Sequence, residues 1–248
     1  DTQYIDYKRH KLKELFKIFL AGNIDYFFVG GKPHKAYLVN LKVRRNRIEE
    51  GCDVVDNDHF FKDRTNHKWE NKLITVARLS EEKNLERALK AFEIFSKKYN
   101  NENWQWNIVG YGKLELFLKE KIKEKNLNVN LLGYKSYNVI PEILLENSIY
   151  WQPSIVEQWG LSINEAASSG LPLLLSKRCG ATNDLCDSDN GWIFDPFSIL
   201  DMVEKLEKVR NDKVKWKSLG HNSQIKVRNF SLDNYSINFK KILDRLTK

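Results

Sequence analysis

The chain has 248 residues, of which 42% are hydrophobic and 30% charged, with a formal net charge of +8. At ~100–200 residues per domain this is one large or two small domains, and that hydrophobic content excludes disorder as a description of the whole. The positive balance favours phosphates, nucleic acid or an anionic membrane surface as partners, beside the plainer reading of a solvated lysine-rich face. The three cysteines, Cys52, Cys179 and Cys186, include no CxxC pair, which argues against a disulfide framework or a zinc site and for a reducing compartment. No apolar run reaches the roughly 18–20 residues needed to cross a bilayer. The opening DTQYIDYKRH does not read as a signal peptide, and without an initiator methionine the true N-terminus is expected elsewhere.

In chain order, residues 8–20 place Leu12, Leu15, Phe16 and Phe19 at helical spacing. A short apolar run over 26–29 ends at Gly30-Gly31, and a short helix is expected over 36–41. NRIEEGCDVV reads as strand-like and runs into Asp56-Asn57-Asp58; the polar stretch 62–71 has no apolar period and reads as a linker. From residue 73 the alternation is regular. Strands are expected at 73–77, 106–110, 129–133, 149–153 and 171–175, with helices at 84–99, 113–125, 138–147 and 161–169 between them. Helices at 198–210, 212–229 and 232–246 complete the chain. Such alternation implies βαβ units and a parallel, doubly wound α/β sheet.

Ligands bind such sheets at the carboxyl ends of strands, so the residues after each strand carry the functional information. Arg78 and Lys83 follow the strand at 73–77; a cation pair at a strand–helix junction can neutralise a diphosphate, or it can simply be surface charge. Gly110-Tyr-Gly112 either lets a ligand approach the backbone or makes a plain turn. Gly133-Tyr134 offers a backbone edge and a ring for a nucleobase, or a tyrosine flanking the core. Beyond 149–153, Glu157 lies in a loop and Glu165 about one turn inside the next helix. Between them Gly160, Leu161 and Ser162 open the helix, where free amides can hold an anion. Carboxylate, anion cradle, carboxylate is an order that suits a sugar, its phosphates and a ribose, since charge-assisted bonds to hydroxyls contribute roughly 1.5–3 kcal/mol each.

Arg78 and Lys83, GYG at 110–112, PS at 153–154 and the Glu157-x7-Glu165 frame with Trp159-Gly160 resemble the GT4-type retaining glycosyltransferases of GT-B fold. SSGLPLLLS (168–176), NGWIFDP (190–196) and VVDNDHF (54–60) fit the same pattern, over about residues 25–245. Trp159 stands where phenylalanine is common, and Lys177-Arg-Cys-Gly-Ala replaces a small-residue run. The resemblance implies that Arg78 and Lys83 bind the donor diphosphate, and that Glu157 meets the sugar and Glu165 the ribose. It also implies that the amides around Gly160 and Leu161 support sugar and phosphate.

It further implies an organisation: a remnant of an acceptor-binding half (1–61), a linker (62–72), a nucleotide-sugar-binding domain (73–230) and a helix crossing back (231–248). The glycine-rich acceptor loop and the family's sugar-contacting histidine have no match, and His34 is expected at the surface. No resident cofactor or metal is expected. The expected partners are a UDP- or GDP-type sugar donor, a glycan or lipid-linked acceptor and, peripherally, an anionic membrane met from the cytoplasm. Rival readings are a nucleotide-sugar epimerase, a non-catalytic nucleotide-sugar-binding module completed by another chain, and nucleic-acid binding. The scattered lysines disfavour the last.

Overall fold

A computed structural model describes residues 2–6 and 8–247. Its main body is one six-stranded parallel sheet in the order β5-β4-β3-β6-β7-β8. The strands are β3 (Lys72–Val76), β4 (Gln105–Val109), β5 (Val129–Gly133), β6 (Ile149–Gln152), β7 (Leu173–Ser176) and β8 (Gly191–Phe194). The helices between them are α4 (Leu85–Lys98), α5 (Glu115–Glu124), α6 (Ile140–Leu145), α7 (Leu161–Ser168) and α8 (Thr182–Leu185), followed by α9 (Ile199–Asn211) and α10 (Trp216–Val227). The order steps outward from β3 to β5, then reverses and runs outward from β6 to β8. The crevice at the carboxyl ends of β3 and β6 is therefore the topological switch point, where open α/β sheets bind ligands.

The strands read as continuous apolar runs because both sheet faces are covered. On one face Leu73, Trp106, Ile108 and Leu174 pack with Leu85, Leu89, Phe92 and Phe95 of α4 and Met202 and Leu206 of α9. On the other, Ile74, Val109, Tyr150, Leu173 and Leu175 pack with Leu144 of α6, Ile163 and Ala166 of α7, and Phe60. Each such side chain contributes roughly 1.5–3 kcal/mol by leaving water. Ser198 caps α9 by accepting from the Asp201 amide, and Ser231 does the same for α11 (Leu232–Leu246) through Asn234.

A second, two-stranded parallel sheet pairs β1 (Phe27–Val29) with β2 (Ile48–Glu50). It is flanked by α1 (Lys11–Gly22) and α2 (Lys32–Asn40), and α3 (Asn57–Phe60) follows it. Helix α11 packs back onto this sheet: Phe28 meets Tyr235 and Phe239 at ring separations of 5.0 and 6.1 Å, and Asn238 donates to the Glu50 carbonyl.

Several expectations change. The strand-like run NRIEEGCDVV is a ladder only over Ile48–Glu50, because Gly51 turns the chain at φ +97°. Helix α2 begins earlier than expected, with Pro33 in its first turn. NGWIFDP supplies an edge strand, β8, and Thr182–Leu185 a short helix, neither of which periodicity revealed. The helix expected over 212–229 keeps α-geometry only from Trp216 to Val227. The stretch between Phe60 and Lys72 has no helix or strand, yet it is not a loose tether. Arg64 is buried in it and donates to the carbonyls of Leu144, Asn147 and Ser169 at 2.6, 2.9 and 2.5 Å.

Candidate functional site

The chain after β3 turns through a short 3-10 segment, Glu81–Lys83, and enters α4 through Asn84 in the left-handed region (φ +58°). Asn84 is buried and its amide donates to the carbonyls of Pro153 and Pro196 at 3.1 and 2.9 Å. One side chain thereby ties together the loops after β3, β6 and β8. This turn sends Lys83 inward, leaving it 8% exposed, and its Nζ meets Glu157 Oε2 at 2.5 Å. Arg78, by contrast, stays exposed and among the described residues pairs only with Glu82 at 3.3 Å, so its guanidinium is available to an incoming anion.

Glu157 is built into a network that sequence reasoning did not find. Its Oε2 accepts from Lys83, from Gln152 Nε2 at 2.9 Å and from Ser154 Oγ at 3.2 Å. Gln152 also donates to Ser154, and Tyr150 donates to Gln152 Oε1 or Ser162 Oγ at 3.0 and 2.7 Å. Gln152 and Tyr150 come from β6, where a buried polar pair amid Ile149 and Trp151 was the available signal: polar side chains in a buried strand need partners. Among the described residues Oε1 of Glu157 has no donor. Arg78, Glu82, Lys83, Val156, Glu157 and Gln158 line a cleft of ≈ 420 Å³.

Helix α7 starts at Gly160, whose φ of +98° favours glycine and whose Cβ would stand 3.0 Å from Glu157 Cγ. The Leu161 and Ser162 amides head the helix and have no earlier helical carbonyl to bond. One turn on, Glu165 is half-buried with no hydrogen-bond donor among the described residues, and burial pushes its carboxyl up to about 7. A carboxylate so placed lacks the hydroxyl or amide partners that buried acids normally have.

The glycines after β4 are required by the backbone packing itself. A Cβ on Gly110 would lie 1.9 Å from the Ala77 carbonyl oxygen, and one on Gly112 would lie 2.4 Å from that of Leu79. They let the chain after β4 run against the chain after β3, sealed by Leu79 N–H to the Tyr111 carbonyl at 2.9 Å. Gly133 (φ +70°) turns the chain after β5. Beyond these turns Tyr111 and Tyr134 project as an exposed edge-to-face pair 5.9 Å apart, an aromatic surface at the strand ends.

The segment Lys177–Ala181 cradles the Glu157 loop: Gly180 and Ala181 amides donate to the carbonyls of Glu157 and Trp159 at 2.9 and 3.1 Å, and Arg178 Nε reaches the Ile155 carbonyl at 3.0 Å. His34, expected at the surface, is 2% exposed. Its Nε2 lies 2.9 Å from the Gln158 carbonyl and its ring 6.0 Å from that of Trp159. Its burial follows from the close approach of the Gly30-Gly31 turn to Trp159, a contact between distant segments that no local pattern reveals.

Comparison with known proteins gives this geometry a family. The chain is 32% identical over 130 residues to the amylovoran biosynthesis glycosyltransferase AmsK of Erwinia amylovora, covering 49% of this chain and 31% of that protein. It is 26% identical over 178 residues to an uncharacterized glycosyltransferase of Haemophilus influenzae, covering 71% of this chain and 50% of the relative. The chain thus spans half or less of the length of these relatives. Among solved structures, S. aureus TarM, crystallised as a variant with Fondaparinux, α-GlcNAc-glycerol and UDP, superposes with a TM-score of 0.80 at 21% identity, over 96% of this chain and 48% of that one. Anabaena HepE in complex with UDP superposes with a TM-score of 0.81 at 16% identity, over 98% of this chain and 71% of that one. The parallel sheet therefore has the GT-B fold, and the chain matches 48% of TarM and 71% of HepE. Since the model of the family described as glycosyl transferases group 1 matches residues 56–226, the chain belongs to that family.

Proposed function

We propose that this chain carries the donor site of a retaining hexosyltransferase that moves a sugar from a nucleotide-diphosphate sugar to a glycan or lipid-linked acceptor in polysaccharide synthesis. The observation that supports this most is the pairing of Lys83 with a three-donor Glu157 at the switch point, beside a Glu165 that has no donor among the described residues. In this reading Glu157 Oε1 accepts from sugar hydroxyls, while Lys83 and Arg78 face the diphosphate. The amides of Leu161 and Ser162 add partial positive charge there, Glu165 receives the ribose hydroxyls, and Tyr111 and Tyr134 flank the base. TarM and HepE were crystallised with UDP, which favours a uridine donor over a guanosine one.

In the transfer the bond from sugar C1 to the phosphate oxygen breaks and the acceptor oxygen bonds C1 on the same face. The acceptor proton passes to the departing phosphate oxygen. The protein stabilises the charge growing on the diphosphate; its cations can do this without a metal. The net charge of +8 suits a cytoplasmic protein meeting a lipid-linked acceptor at an anionic surface. Among the described residues no helix is long and apolar enough to cross a membrane.

The test is calorimetry with UDP, GDP and their sugar conjugates. Glu165→Ala should weaken free nucleotide and sugar nucleotide alike, whereas Glu157→Ala should spare the free nucleotide and cost about tenfold or more on the sugar nucleotide. Equal losses on both ligands in both variants would refute the assignment, and no binding of any nucleotide diphosphate would remove the donor-site reading.

A further inference from the structure

The loop that presents Glu157 is gripped from outside the six-stranded sheet. Backbone amides from the adjoining loop hold Glu157 O and Trp159 O, but the carbonyl of Gln158 between them receives its hydrogen bonds from two side chains far away in sequence. His34 Nε2 lies 2.9 Å from it and Gln3 Nε2 lies 3.3 Å from it. Gln3 Nε2 also reaches the Glu157 carbonyl at 2.9 Å and the Arg178 carbonyl at 3.3 Å. Both side chains are 2% exposed, and neither lines the cleft that holds the Glu157 carboxylate.

The imidazole is set for this contact. The Gly31 amide donates to His34 Nδ1 at 3.2 Å, so the ring proton sits on Nε2 and points at the Gln158 carbonyl. The turn that carries the ring fits closely under the next residue of the loop. A Cβ on Gly31 would stand 2.6 Å from Trp159 Cζ3, and one on Gly30 would stand 3.0 Å from Trp159 Cε3. Trp159 is in turn pinned by its Nε1 donating to Asn164 Oδ1 at 2.9 Å.

We propose that His34 and Gln3 are positioning residues: by holding the backbone of Glu157 and Gln158 they orient the Glu157 carboxylate, with Lys83 on one oxygen and the other open, toward the donor sugar. This rests on the reading that Glu157 meets the sugar. A loop fixed only by its own sheet can rotate about residues 155–160 without unfolding, and a hydrogen bond to its central carbonyl from the neighbouring element removes that freedom. The contact also lets the element carrying β1 and α2 report its placement to the donor site.

Two measurements on the chain test this. The first is amide hydrogen exchange of residues 155–160, which needs no ligand. His34→Ala should speed exchange there by about tenfold, the equivalent of one lost hydrogen bond, while α4 and α9 keep their protection. The second is calorimetry with UDP and with whichever of UDP-glucose, UDP-galactose and UDP-N-acetylglucosamine binds the unaltered chain best. His34→Ala should lose several-fold on the sugar nucleotide and nothing on UDP. His34→Gln, whose amide N–H can reach the same carbonyl, should restore both readouts. Gln3→Ala should move both in the same direction by less, and serves if His34→Ala folds poorly. Unchanged exchange in 155–160, equal losses on UDP and its conjugate, or a folded His34→Gln that behaves like His34→Ala would each overturn the proposal. Failure of the unaltered chain to bind any UDP compound is a different result: it removes the donor-site reading, while the exchange experiment still decides whether the loop is held.

Discussion

Glu165 is costly to ionise in the folded chain. Burial raises its carboxyl from the ordinary carboxylate range to about 7, so the folded chain holds a proton there that the unfolded chain has released. Stability contributed by the protonated form is therefore full at low pH and is lost as pH rises from the unfolded value through about 7. Glu165→Gln, which cannot ionise, should raise stability at about pH 8 by on the order of 1–2 kcal/mol and change little at about pH 5; urea unfolding at the two pH values checks this. If ribose hydroxyls bond the ionised form, nucleotide affinity should climb as pH rises through about 7, with proton release on binding, and Glu165→Gln should flatten that dependence. Affinity independent of pH in the unaltered chain would mean that the carboxylate does not take part.

Among the elements, the segment between Phe60 and Lys72 acts as a clamp. Arg64 donates to the carbonyls of Leu144, Asn147 and Ser169, which lie at or just past the C-termini of α6 and α7, where unpaired carbonyls gather and the helix dipoles favour a cation. Burial lowers its guanidinium to about 9, still cationic at neutral pH. Arg64→Met keeps the aliphatic stem but removes all three hydrogen bonds; the Leu144 carbonyl keeps the Asn147 amide at 3.2 Å, while those of Asn147 and Ser169 lose the guanidinium. The substitution should destabilise by about 2–4 kcal/mol in urea unfolding, whereas Arg64→Lys should recover only part because one ammonium does not reproduce the planar fork. A loss below about 1 kcal/mol would show that water replaces the guanidinium at little cost. The clamp fixes the chain on its way into β3, and so fixes the register from which the loops after β3 and β6 start.

At the scale of the molecule, α1 is turned inside out. Glu14 and Lys17 face the body, where they and Arg9 surround the Tyr37 hydroxyl, while Leu12, Leu15, Phe16 and Phe19 are 62–82% exposed. Helix α11 buries Ile242 against the small sheet but leaves Leu232, Ile237, Phe239, Leu243 and Leu246 substantially exposed. Two helices that present rows of large apolar side chains to water make a sticky surface. The 248-residue chain should therefore self-associate at micromolar concentration, and the triple variant Leu15→Glu, Phe16→Lys, Phe19→Glu should shift it toward monomer in light scattering without loss of nucleotide binding. A monodisperse monomer of the unaltered chain would contradict this. If the proposed donor site is right, this chain, which spans half or less of the length of the relatives it matches, should by itself bind donor yet transfer little sugar, because an open cleft does not exclude water from the reacting atoms; a radiolabel transfer assay showing robust turnover would overturn that expectation.

The periodic part of the molecule was legible in the amino-acid sequence. Buried parallel strands must be short apolar runs, and amphipathic helices must repeat their apolar face. The five strands it placed from residue 73 to 175 accordingly lie within two residues of those observed. It also singled out Lys83, Glu157 and Glu165, because residues just after parallel strands converge on one edge of the sheet whatever the details of packing. Tertiary structure decided what convergence does with them. It buried Lys83 against Glu157 and left Arg78 in solvent, although both are cations in one turn. It filled the space beside Gly110 and Gly112 with backbone, made a clamp of a polar linker, and carried His34 and Gln3 across to the Gln158 carbonyl. Those outcomes depend on which segments meet through space, and a contact over more than a hundred residues leaves no periodic trace in the chain.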